Sequence, residues 1–154
     1  MSATSLNSSG FVTRGALVPA LNVFGTQVYV LADGASTAGA CSIARIVCPP
    51  DSGSPLHRHA EAETFHVLRG QLSVILDGKT HVLSAGDLVH ITPHAAHNFH
   101  NATNEPVEFL ALGMPAGHER FFYDADELFR SGRFTPATAV ELCQRHGIEL
   151  LPPN

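Results

Sequence analysis

The 154-residue chain has only three cysteines, Cys41, Cys48 and Cys143, and none stands in a CxxC spacing. An odd number without paired spacing argues against a disulfide framework and a zinc site built on thiolates, and leaves small buried thiols as the expectation. Long apolar runs are missing too. Nothing approaches the roughly 18 residues that a bilayer crossing takes, so no membrane partner is expected. Charge is sparse, at 15% of residues, and nine lysines and arginines face fourteen acids for a net charge of -5 with histidines neutral. Without a basic excess there is no electrostatic footprint for nucleic acid. The opening MSATSLNSSG lacks a basic start followed by an apolar stretch. No secretory leader is therefore expected, residues 1–10 read as a flexible polar leader, and the cytoplasm is the expected location. No internal repeat or low-complexity segment interrupts the chain.

What the chain does have is a series of short stretches with strand character. QVYVL (27–31), SIARIV (42–47), ETFHVLR (63–69), LSVIL (72–76), THVL (80–83), DLVHI (87–91), HNFHN (97–101) and VEFLAL (107–112) follow one another at close spacing. Asp77-Gly78 between two of them favours a tight hairpin turn. Many short strands separated by turn residues predict an all-β antiparallel sandwich or barrel. The pattern changes after Gly113. AGHERFFYDADELFRSG predicts one or two short helices, and TPATAVELCQRHG another, with Thr135 as N-cap, Pro136 at the first helical position and Gly147 at the stop. The expected organisation is a barrel over 11–113 and a helical segment over 114–154 packed on it as a lid.

Histidine is abundant, with ten residues, and five ligand-type side chains crowd into HRHAEAETFH: His57, His59, Glu61, Glu63 and His66. Side chains alternate along a strand, so His57 and His59 share a face if that segment is extended, and two imidazoles on one face can hold a metal. Glu63 follows at the start of the next strand, and His97 opens another about forty residues on. Three imidazoles and a carboxylate suit a divalent first-row metal.

These residues resemble the cupins. The first cupin motif, G-x5-H-x-H-x3,4-E-x6-G, is matched from His57 onward by His59, Glu63 and Gly70, with Asp51 standing where the leading glycine belongs. The second, G-x5-P-x-G-x2-H-x3-N, is matched by Gly86, His97 and Asn101, with Thr92 in the proline place and His94 in the inner glycine place. The fifteen residues from Gln71 to Ala85 equal the family's short spacing between motifs. Both departures fall in turns, so turn shape is in question more than ligation. The resemblance implies a jelly-roll double-sheet barrel that binds one divalent ion (iron, nickel, manganese, copper, cobalt or zinc) through His57, His59, Glu63 and His97. MPAGHERFF further resembles the segment after the barrel in small quercetinase-like cupins.

Strand parity puts Phe65, Val67 and Phe99 on the cavity side, which predicts an apolar pocket for an aromatic or enolic small molecule. The expected function is a metal-dependent, oxygen-using dioxygenase in which Glu63 is both ligand and general base, its pKa raised by the apolar wall. A non-catalytic metal or small-molecule binding cupin and a metal-dependent isomerase or lyase remain as alternatives. Glu61 reads as a solvated turn residue, and His66 and His100 should point away from the metal face. His90 and His94 are candidates for supporting donors at the mouth, while His81, His118 and His146 read as ordinary surface residues. A homodimer is expected, with the strand-like segment before residue 50 offering an edge to a second copy.

Overall fold

Alternating burial runs through the longest strands. In the computed structural model, which describes residues 9–153, β3 (Ser42–Cys48), β5 (Ala62–Arg69) and β10 (Val107–Met114) each bury every second side chain over most of their length. They form the middle of a six-stranded antiparallel sheet with β1 (Leu21–Val23), β2 (Thr26–Ala32) and β8 (Leu88–Ile91), in the order β1-β2-β3-β10-β5-β8. A second, five-stranded sheet takes β4 (His57–Arg58), β6 (Gln71–Leu76), β7 (Lys79–Ser84), β9 (His97–His100) and β11 (Glu149–Leu150), in the order β11-β4-β9-β6-β7. All described pairings are antiparallel, and the two sheets face each other as a jelly-roll barrel, as expected.

The eight expected strands are all present, and the Asp77-Gly78 turn has positive φ at both residues (49° and 79°), which the tight β6–β7 hairpin requires. Three short strands carry no period of their own and went unanticipated: β1, β4 and β11. Eight of the ten residues expected as a leader lie outside the described residues. Between the sheets, Phe65, Phe109, Leu72, Ile91, Val28 and Val74 are almost wholly excluded from solvent. Each such side chain contributes about 1.5–3 kcal/mol by leaving water. Phe65, Phe99 and Phe109 meet edge to face, with ring centroids 5.1–5.8 Å apart, and form the floor on which the site rests.

Two helices follow the barrel. α1 (Glu119–Arg130) buries Phe121, Phe122, Ala125 and Leu128 along one stripe. Asp126 on that stripe accepts a hydrogen bond from the Asn22 N–H (2.9 Å), which fastens the helix over the sheet edge at β1. α2 (Pro136–Arg145) begins as expected, with Thr135 and Thr138 forming a reciprocal cap and Pro136 in the first turn. The chain then returns to the barrel. β11 pairs with β4, Glu149 opposite Arg58 and Leu150 opposite His57, and the Arg58 guanidinium grips Glu149 at 2.7 and 3.0 Å. The C-terminal segment thus contributes a strand to the barrel as well as a lid. Among the described residues no helix is long and apolar enough to cross a membrane, and Cys41, Cys48 and Cys143 are free thiols, Cys48 and Cys143 buried.

Candidate metal centre

Strand pairing brings the motif residues together. His57 on β4 lies directly across from His97 on β9, and His59 follows just past the end of β4. Glu63 sits on the neighbouring sheet in β5, opposite Ile91 of β8, on the face it shares with Phe65. All four are buried, at 7%, 3%, 6% and 1% relative exposure for His57, His59, Glu63 and His97.

Three of them are oriented by the backbone. The Nδ1 atoms of His57, His59 and His97 lie 2.7, 3.1 and 2.8 Å from the carbonyl oxygens of Pro55, Glu61 and Ala95. A carbonyl can only accept, so each Nδ1 carries the proton, and a neutral ring then presents a bare Nε2 lone pair to the interior. Glu63 Oε2 stands 3.2 Å from both His59 Nε2 and His97 Nε2. Lone pair facing lone pair at that separation is repulsive unless a cation, a proton or a metal ion, sits among them. The donor set therefore fits a metal, with three nitrogens of fixed tautomer and one carboxylate.

Electrostatics agree with that chemistry. Burial, reinforced by the neighbouring His97, lowers the His57 pKa to about 4, so its ring is neutral and free to ligate at physiological pH. Burial acts in the same direction on His59, yet the Glu63 contact outweighs it and raises the pKa. For Glu63 burial pushes upward, and the contacts with His59 and His97 overcome it, holding the carboxyl well below the usual range. This corrects the expectation of a raised Glu63 pKa: the wall around it is not only apolar but carries imidazoles.

A fifth residue joins the cluster. The ligand atoms of His57, His59 and His97 lie within 4.8 Å of one another, and so do those of His59, Glu63 and His118. His118, expected to be an ordinary surface histidine, stands at the N-cap of α1, with its ring centroid 4.6 Å from that of His59. Burial lowers its pKa. The contact joins residues nearly sixty apart, so no spacing rule marks it. The available signal was its position immediately before the amphipathic stretch ERFFYDADELFR.

The remaining expectations divide. Phe65 and Phe99 line the cavity along with His57, Glu63 and His118, whereas Val67 is fully buried in the core and is not part of its lining. Phe121 and Phe122 of α1, Cys143 of α2, and Ile148 and Leu150 beyond it close the cavity from the other side. Glu61 is not simply solvated, since its carboxylate lies 3.5 Å from His59 Nδ1 and its carbonyl orients that ring. His66 and His100 are outside both ligand sets, with His66 Nδ1 buried and unpartnered among the described residues. His90 does not support the centre, as it is exposed and bonded to Thr64 Oγ1 (2.8 Å). His94 does so through its backbone, whose N–H donates to the His59 carbonyl at 2.8 Å. His81 is exposed, while His146 is half-buried and meets Asp124 at 2.7 Å. The two places where the motif glycines are replaced, Asp51 and His94, have φ of 59° and 65°. The glycine conformation is kept by two of the residue types that best tolerate it, so turn shape survives both departures.

Residues 44–113 match the family described as Cupin domain. Over 132 residues the chain is 31% identical to quercetin 2,3-dioxygenase of Bacillus subtilis (strain 168), a match spanning 77% of this chain and 39% of that protein. The chain therefore covers well under half of that curated relative. The fold is similar to that of a predicted oxalate decarboxylase from Thermotoga maritima, with TM-score 0.63, 25% identity, and 68% of this chain and 99% of that one covered. It is also similar to a cupin 2 domain-containing protein from Halorhodospira halophila, with TM-score 0.53, 30% identity, and 57% and 62% covered.

Proposed function

The chain belongs to the cupin superfamily, and from that premise we propose that it is a metal-dependent dioxygenase acting on a small enolic or aromatic molecule. The observation that carries the reading is a cluster of three imidazoles, each with Nδ1 committed to a carbonyl, two of which, His59 and His97, also meet the Glu63 carboxylate beside an apolar cavity. His57, His59, Glu63 and His97 hold the ion in this proposal. When bound, a divalent first-row ion would lower the pKa of an enol or catechol hydroxyl, and loss of that proton would leave an electron-rich anion open to attack by oxygen.

The protein's own part is to shape and dry the site. Phe65 and Phe99 from the barrel and Phe121 and Phe122 from α1 exclude water and offer flat apolar contact to an unsaturated substrate. Glu63 has two proposed duties, balancing the charge of the ion and accepting the proton of a substrate hydroxyl. Its lowered pKa favours the first, because a weakly basic carboxylate keeps its charge and is a poor acceptor. The cavity is about 60 Å³, far below the roughly 300–1,000 Å³ of pockets that take drug-sized ligands. A small enol fits this space better than a three-ring flavonol.

Part of the same proposal are a homodimer and a cytoplasmic location. Phe11, Val12 and Leu17, at 50%, 76% and 82% exposure, give the segment before β1 apolar surface to cover. The free thiols suit a reducing compartment. A lyase reading has one observation in its favour, the structural likeness to a protein named for decarboxylation. Oxygen uptake by metal-loaded protein, with 1,3-diketones, catechols and flavonols as substrates, separates the two. Uptake with a small diketone or catechol is expected. Metal-loaded protein that consumes no oxygen with any of them ends the dioxygenase reading.

A further inference from the structure

His118 belongs to neither cupin motif, yet it shares the interior with the motif residues. We propose that His118 is a further ligand of the metal centre, delivered from the N-cap of α1, so that loading the ion fastens the C-terminal lid to the barrel. The proposal rests on the metal-binding reading above and deepens it.

Four observations support the assignment. A ligand atom of His118 lies within 4.8 Å of those of both His59 and Glu63. Glu63 in turn reaches both His59 and His97 at 3.2 Å, so an ion seated against Glu63 is near all three rings. The motif imidazoles each commit one nitrogen to a carbonyl; the His118 ring has no such partner among the described residues, which leaves its nitrogens for the cavity that it lines. Its position is also fixed with some care. Phe121 and Phe122 flank the ring at 5.8 and 5.2 Å between centroids. The next residue, Glu119, is buried and accepts hydrogen bonds from the N–H groups of Gly34 (2.8 Å) and Gly117 (2.6 Å). Gly117 has a φ of 141°, so this approach to the helix is one that only glycine takes easily.

First-row divalent ions accept five or six donors, and imidazole suits them well. With His118 added to the four motif residues, a six-coordinate ion keeps one position open instead of two. The substrate then binds through a single oxygen, as a monodentate enolate or catecholate. A ligand on a helix also couples binding to local order, because the ion stabilises the state in which α1 is docked. The two ligand sets share His59, so one ion bound there would join the start of α1 to the barrel.

The test uses the whole chain, stripped with a chelator and reloaded with cobalt(II) alone. Cobalt affinity is measured by chelator competition, and hydrogen exchange of residues 115–125 is followed with and without the ion. In the parent protein cobalt should slow exchange across 115–125, a readout that needs no variant. His118→Phe keeps an aromatic ring against His59 and Phe122 but removes the nitrogens. It should bind cobalt at least about tenfold more weakly, lose the added protection, and shift the cobalt visible spectrum toward lower coordination. His118→Asn serves if the phenylalanine variant misfolds, with the same result expected. Parent-like affinity and parent-like protection in His118→Phe overturn the proposal, as does parent protein whose 115–125 exchange ignores cobalt. If His59→Ala abolishes binding while His118→Phe does not, only the His118 assignment falls. If the folded parent binds no cobalt, the metal reading falls and takes this one with it.

Discussion

Glu119→Gln isolates the contact that holds the lid over the site. The substitution is nearly isosteric, so it opens no cavity, and what changes is hydrogen bonding alone. In the parent, one carboxylate oxygen accepts the Gly34 N–H at 2.8 Å and the other the Gly117 N–H at 2.6 Å, from a side chain that is 3% exposed. Hydrogen bonds to a charged group contribute about 1.5–3 kcal/mol and neutral ones about 0.5–1.5. Glutamine keeps one acceptor, now neutral, and turns an amide N–H₂ toward the other donor. About 1 kcal/mol is lost at the first contact and about 1–2 at the second, where solvent partly reaches the N–H, for a total of about 2–3 kcal/mol. For a chain of this size each kcal/mol moves the midpoint by about 2–4 °C, so Tm should fall by about 4–12 °C. Circular dichroism melts of metal-free protein measure this, and urea unfolding with an unchanged m-value confirms that the loss lies in the folded state. A midpoint within about 1 °C of the parent would refute the reasoning, showing that Glu119 does not tie the start of α1 to the 33–40 loop.

Further predictions address the centre and the assembly. His59→Ala should remove most of the bound metal while His66→Ala leaves it in place, as measured by elemental analysis; equal loss from both would overturn the ligand assignment. Glu63→Gln, reconstituted with excess metal, should keep turnover per bound ion within a few-fold if Glu63 is chiefly a ligand. A fall of about 10²-fold or more would instead make it the general base. Light scattering at micromolar concentration should report a dimer, and a monomer would remove the role proposed for the exposed segment before β1.

How far the sequence carried depended on the range of each interaction. Strands such as β3 and β5 were legible because their two faces see different surroundings, and that difference is written as alternation along SIARIV and ETFHVLR. Asp77-Gly78 was legible because positive φ at two successive residues is a local demand. β4 and β11, two residues each, have no period to read, and only their partners across the sheet make them strands. The four motif residues were found by their spacing, since His57 and His59 share one local turn geometry while Glu63 and His97 follow at fixed family distances. His118 was missed because its place depends on where α1 docks, and the docking is decided by tertiary packing of Phe121, Phe122 and Glu119. The direction of the Glu63 pKa was missed for a related reason. Parity placed Phe65 beside it and suggested an apolar wall, but the rings of His59 and His97 reach the same oxygen from the opposite sheet.

The proposed centre is one first-row metal ion held by three imidazoles and the Glu63 carboxylate. X-ray absorption at the metal edge, on protein purified without a histidine tag, tests it most directly. Close to one equivalent of a first-row ion is expected, in a shell of nitrogen and oxygen at about 2.0–2.3 Å, with imidazole scattering beyond it and no sulfur. Folded protein that retains no first-row metal after incubation with excess ion, or a shell dominated by sulfur, would contradict it.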